Sequence, residues 1–161
     1  PPLAIAGIDI NYNHSVLFRP SAKKMKYIKG FDTNILVIVF FPGLDTESVK
    51  EMMQNSSSKV VVLMTYGSGN IPMSDKITKL IKKQIKKGKI FLNVSQCKAG
   101  RVEQQKYETG IQLHNLGVLG VYDMTLEAVI SKTMLYLHKF PNDVSQFTTE
   151  FLTEKAGEFS I

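Results

Sequence analysis

Val60-Val61-Val62-Leu63-Met64-Thr65-Tyr66-Gly67-Ser68-Gly69-Asn70 is the stretch that decides the fold. An unbroken apolar run without polar alternation predicts a strand buried on both faces. It runs directly into a glycine-rich turn whose tip carries a serine and an asparagine. In open α/β sheets, ligands sit at the carboxyl ends of parallel strands, where such turns are displayed.

The same device recurs along the chain. Ile35 to Phe41 is a continuous apolar run ended by Pro42-Gly43, and Ile90 to Val94 is followed by Ser95-Gln96-Cys97-Lys98-Ala99-Gly100. Val118 to Val121 is a shorter run followed by Tyr122-Asp123-Met124-Thr125. Helical patterns separate these runs. One opens at Asp45 or Thr46 and extends to about Met53. A second is capped by Ser74 and stopped by Gly88. A third covers about Thr109 to Leu116 and ends at Gly117; two more run to about Leu137 and over Val144 to Leu152. Strands alternating with helices predict an α/β fold: a Rossmann-like (flavodoxin-like) domain of about four parallel strands with helices on both faces.

Residues 1 to 33 lack this rhythm. Pro1, Pro2, Gly7, Pro20 and Gly30 punctuate short apolar pieces, and Lys23, Lys24, Lys26 and Lys29 follow. This part is expected to be an interdomain linker, or the tail of a preceding domain, with one or two short extended pieces; the domain proper then spans 34–161. A proline at the first position, with no initiating methionine or signal-like stretch, suggests a fragment or a chain trimmed at its front.

Composition narrows the function. The 161 residues suit one domain with an attached segment, and 43% apolar content is ordinary for a globular protein. No apolar run approaches the roughly 20 residues of a membrane span. One cysteine excludes an internal disulfide and suits a reducing compartment. One cysteine and three dispersed histidines, His14, His114 and His138, do not make a zinc site, and no metal or cofactor is expected. The formal charge of +6 raises a nucleic-acid partner. Yet Lys76, Lys79, Lys82, Lys83, Lys86, Lys87 and Lys89 cluster on one helix and its exit, opposite Ile77, Leu80, Ile81 and Ile85. That pattern is a solvated face, without aromatics to stack on bases or arginines to read them, so nucleic acid is not expected as a partner.

The loops hold candidate site residues but no catalytic constellation. The 65–70 turn lacks the Gly-Lys-Ser/Thr of a phosphate loop. Asn70 offers an amide that both donates and accepts. Cys97 has no histidine at a paired spacing and reads as a small, semi-buried thiol. Tyr107 can reach outward with its hydroxyl or pack locally, and Asp123 or Thr125 caps the following helix. Spacing alone stops at a Rossmann-like domain with one decorated loop edge.

Taken in order, Pro1-Pro2-Leu3 with Ala6-Gly7-Ile8, Phe41-Pro42-Gly43, Thr65-Tyr66-Gly67-Ser68-Gly69-Asn70-Ile71-Pro72, Val94-Ser95-Gln96-Cys97, Tyr107-Glu108-Thr109-Gly110, Gly117-Val118 and Asp123-Met124-Thr125-Leu126-Glu127-Ala128 resemble the C-terminal domain of type I (cytoplasmic) L-asparaginases. The resemblance implies the hydrolysis of L-asparagine to L-aspartate and ammonia by a cytoplasmic parent protein. The nucleophilic threonine would reside in an N-terminal domain whose Thr-Gly-Gly-Thr segment does not occur here. This chain would support fold, active-site closure and a homodimer or homotetramer, and would itself be inactive. Asn70 and Tyr107 match substrate-proximal residues that serve a neighbouring subunit's site. Thr65 and Cys97 match the surroundings of an effector pocket, although Met64 stands where asparagine-activated members carry an arginine. Two other readings remain: an asparaginase-like subunit of a tRNA-dependent amidotransferase, and a stand-alone module that binds an amino acid.

Overall fold

The computed structural model describes residues 2–17, 27–97 and 100–160. Pro1, the expected lysines at 23, 24 and 26, and the Lys98-Ala99 part of the loop after the third strand lie outside them. A short antiparallel hairpin, β1 (Ala4–Ala6) and β2 (Ile10–Tyr12), precedes the main unit. It leaves Ile5, Ile10 and Tyr12 exposed. From Gly30 onward the chain already lies against the body of the fold. Gly30 sits so close to His138 that a Cβ there would approach its ring at 2.5 Å. Asp32 donates its backbone N–H to the Met134 carbonyl and pairs with Lys59 at 3.1 Å.

The main unit is a four-stranded parallel sheet in the order β3 (Ile35–Val39), β4 (Val60–Thr65), β5 (Ile90–Ser95), β6 (Leu119–Gly120). The last strand is shorter than its apolar run, because the chain turns away at Val121 and Tyr122; Tyr122 adopts a left-handed φ of 59°. Because the strands follow one another in sequence order, crossovers of a single hand must all pass over the same face. The helices obey this: α1 (Thr46–Asn55), α2 (Asp75–Lys86) and α3 (Glu108–Leu116) form one layer, with α2 packed between the other two. The opposite face is covered by α4 (Leu126–Lys139) and α5 (Val144–Phe151). The order also contains no reversal, so this sheet lacks the crevice at which a doubly wound domain binds its ligand.

The decisive strand explains both cores. Side chains alternate across a strand. In β4, Val61 and Leu63 join Met53, Ile77, Ile81 and Phe91 beneath the three-helix layer. Val60 and Val62 join Leu92, Val129, Phe147 and Phe151 beneath α4 and α5. A central strand with both faces covered has no polar phase, which is why its sequence reads as an uninterrupted run.

Asp45, Ser74, Thr125 and Asp143 each accept a backbone N–H at the start of α1, α2, α4 and α5. The lysines of α2 do face solvent, with one correction. Lys89 is not part of the solvated face: its Nζ donates to the carbonyls of Met53 and Ser56 and closes the end of α1, which has no basic residue in its own last turn. Burial there pushes the Lys89 pKa down, with the neighbouring Lys87 acting in the same direction.

Candidate functional site at the carboxyl edge

The exits of β4 and β5 and the long segment before α3 meet at one edge. Past β4 the chain makes a closed turn: Tyr66 donates its N–H to the Asn70 carbonyl, and Asn70 donates back to Tyr66. Gly69 is required there twice over. Its φ is 109°, and a Cβ would stand 2.9 Å from both Asn93 Nδ2 and Val102 Cγ1. Asn93 is the internal brace. Its Nδ2 donates to the Gly69 carbonyl at 2.9 Å, and its Oδ1 accepts the Thr65 hydroxyl at 2.7 Å. A lone polar residue inside the run Ile90-Phe91-Leu92-Asn93-Val94 was the available signal, since a buried amide must find partners.

Two further side chains tie the edge together. Ser95 Oγ donates to the Gly67 carbonyl at 2.5 Å. Gln96 Nε2 donates to the carbonyls of Phe40 and Met64, linking the ends of β3 and β4 to the exit of β5.

The structure brings together the neighbourhoods of Asn70 and Tyr107. Thr109 donates its hydroxyl to Asn70 Oδ1 at 2.5 Å, and Glu103 donates its N–H to the Ser68 carbonyl. Among the described residues Asn70 Nδ2 has only a long, 3.5 Å contact with Ser68 Oγ, which leaves the donating end of the amide weakly engaged. Tyr107 lies two residues before Thr109, at the start of α3; it makes no side-chain cap bond and is 50% exposed. Lys106 Nζ lies over its ring, 6.0 Å from the centroid.

Thr65 and Cys97 are placed differently from one another. Thr65 is fully buried, and its hydroxyl is committed to Asn93 and to the Val94 carbonyl. Cys97 is exposed, not semi-buried: its N–H donates to Ser95 Oγ, and the turn this makes carries the thiol out of the sheet. Met64 is half-buried in β4 and offers no charge. Of the two capping candidates before α4, Thr125 accepts the Ala128 N–H, while Asp123 instead accepts the N–H of Ser160 from the last segment of the chain. Burial would raise the Asp123 pKa; the hydrogen bonds from Ser160 and the nearby Arg101 charge outweigh it and hold the carboxylate below its ordinary range.

Fold and edge define a class: a parallel α/β domain whose strand exits are braced by side-chain amides, one of them buried, and carry a glycine-turned asparagine. The chain belongs to the Glutaminase/Asparaginase C-terminal domain family, whose profile matches residues 34–151. It is 35% identical over 141 residues to an L-asparaginase of Dirofilaria immitis, a match covering 86% of this chain and 23% of that protein. It is 30% identical over 130 residues to a glutamyl-tRNA(Gln) amidotransferase subunit of Saccharolobus solfataricus, covering 81% and 29% of the two chains. The solved L-asparaginase I of Vibrio cholerae superposes on the whole of this chain with a TM-score of 0.84 at 28% identity, over 48% of its own length. The chain thus spans about a quarter of the curated relatives and about half of the solved neighbour.

Proposed function

We propose that this chain acts as the C-terminal domain of a cytoplasmic L-asparaginase, in which a partnering N-terminal domain supplies the nucleophile for converting L-asparagine and water to L-aspartate and ammonia. The observation that carries the reading is the hydrogen bond from Thr109 to Asn70. It couples two of the family-like motifs, separated by 39 residues, into one rigid corner at the strand-exit edge. Asn70 then presents a fixed amide, and Tyr107 projects from the same corner, as groups that orient a substrate held in a neighbouring subunit. Orientation lowers a barrier without the orienting group reacting. The sequential strand order favours this division, because it provides no switch-point crevice at the Asn70 corner, and a second surface is needed there to enclose a substrate. An effector pocket at Thr65 and Cys97 would rely on backbone groups and the thiol, the threonine hydroxyl being already engaged.

Ammonia release from L-asparagine tests the proposal. The intact protein containing this chain is expected to hydrolyse asparagine, and the 161-residue chain alone is not. Turnover by the chain alone would overturn the division of labour. The likeness to a glutamyl-tRNA(Gln) amidotransferase subunit supports a second reading, in which ammonia is passed to a charged tRNA. Co-purification of a second protein with tRNA, together with weak hydrolysis of free asparagine, would favour that alternative.

A further inference from the structure

Among the described residues, Tyr122 is the one non-glycine with a left-handed backbone, at φ 59°. A bulky side chain is strained there and keeps that conformation only where its surroundings over-determine it. They do so at Tyr122. Its ring stacks on Phe159, with 4.9 Å between centroids and 14° between planes, and the Arg101 guanidinium lies over it at 5.4 Å. Its carbonyl accepts the Val102 N–H at 2.9 Å, and the next residue, Asp123, accepts the Ser160 N–H at 2.8 Å. We propose that Phe159, acting through Tyr122 and the 101–103 segment, is a positioning residue for the Asn70 turn. Its functional consequence rests on the orienting role proposed for Asn70; its structural consequence rests on geometry alone.

The 101–103 segment is the link. Val102 is buried, and its Cγ1 occupies space that a side chain would need at two glycines. A Cβ at Gly69 would stand 2.9 Å from that atom, and one at Gly120 would stand 3.2 Å from it. Gly69 belongs to the turn after β4 and Gly120 to β6, with β5 between these strands. Val102 thus wedges together two strand exits that are not neighbours in the sheet. Its own N–H is held by the Tyr122 carbonyl, and the following N–H, of Glu103, is donated to the Ser68 carbonyl at 3.0 Å. A shift of the Tyr122 carbonyl would therefore move the groups that pack on Gly69 and hold Ser68, the two residues immediately before Asn70. Thr109 fixes the Asn70 side chain; the 101–103 segment fixes the backbone beneath it.

The segment after α5 is anchored separately. Buried Lys132 donates to the Thr153 carbonyl and to Glu158, and Glu158 accepts the Ala156 N–H at 2.7 Å. These bonds deliver Phe159, itself buried, onto the Tyr122 ring as a fixed plate. Stacked aromatic rings hold one another in a preferred offset geometry, so the plate restrains the ring and, through it, a strained backbone.

Amide hydrogen exchange of the protein, read by NMR, tests this brace. Phe159→Leu keeps an apolar side chain and removes the plate. Tyr122→Gly accepts a left-handed φ without strain and removes the ring, so it separates the stack from the backbone conformation. In both variants, protection of the Gly69, Asn70 and Glu103 amides is expected to fall about tenfold, while amides of β3 and α1 stay within about twofold of the wild type. Unchanged protection at those three amides would overturn the proposal. So would an equal loss throughout the sheet, which would mean that Phe159 serves global stability alone. Asparagine hydrolysis by the intact protein is the functional arm. Phe159→Leu is expected to lower kcat/KM about tenfold, Phe159→Tyr to restore most of it by keeping the stacked ring, and Phe159→Leu to add no further loss in an Asn70→Ala background. Additive losses in that double variant would overturn the positioning role. An intact protein inactive on asparagine would sink the reading of the parent's reaction, and the exchange data would still decide the brace.

Discussion

The carboxyl edge of the sheet and the outer face of α2 are both rich in polar residues, and they use them in opposite ways. At the edge, Asn93, Ser95, Gln96 and Thr109 each bond to a group far away in sequence, and glycine lets the backbones close up around them. On α2, Lys76, Lys79, Lys82, Lys83 and Lys86 stand in water, and nothing in the packing depends on them. Lysine itself appears on both sides of this divide. Lys132 is buried; its Nζ donates to the Thr153 carbonyl and to Glu158, and it lies over the rings of Phe151 and Phe159 at 5.4 and 5.0 Å. A polar residue structures this protein through the partner it reaches, not through its chemical type.

The largest effect should come from breaking that buried lysine. Lys132→Met strands the Glu158 carboxylate and is expected to cost about 4 kcal/mol in urea unfolding. The wild-type pair also predicts a pH dependence. Burial alone would raise the Glu158 pKa; the Lys132 ammonium and nearby backbone N–H groups outweigh it and hold the pKa below the usual glutamate range. A carboxylate with a depressed folded pKa contributes stability that is present above its unfolded pKa and disappears as pH falls through the folded one. Urea midpoints should therefore fall as pH drops below the ordinary glutamate range in the wild type, and this component should be smaller in Lys132→Met, where only the backbone N–H groups remain. Next, Gly69→Ala forces a side chain into a left-handed position against Asn93 and Val102, at about 3 kcal/mol. Gln96→Ala frees the carbonyls of Phe40 and Met64 at a partly exposed site and should cost about 1 kcal/mol. Lys82→Gln with Lys86→Gln should shift stability by less than about 0.5 kcal/mol. A loss as large as that of Gly69→Ala would erase the contrast between the two regions.

The fold was legible because it rests on local signals. The buried run of β4, the caps at Asp45, Ser74 and Thr125, and the strand–helix alternation all lie within short windows of sequence. The corner that holds Asn70 was legible only as a set of motifs. Its geometry depends on Thr109 and Asn93, which reach it across the fold, and nothing within the 65–70 window indicates them. Lys89 and Cys97 departed from expectation for the same reason. Lys89 follows the lysine helix in sequence but is captured by the end of α1, and Cys97 follows an apolar strand but is turned outward by Ser95.

The uninterrupted strand order also bears on how the chain reaches this structure. Pairing joins Ile35 to Val60, Val60 to Ile90 and Leu92 to Leu119, so each new strand closes a loop of only about 25–30 residues. No strand has to wait for a distant segment to be inserted beside it. The sheet can grow one crossover at a time from its first strand, with α4 and α5 sealing the second face last. Little chain entropy is lost at any single step, so folding is expected to be faster than for a parallel sheet whose strand order is interrupted by a distant insertion.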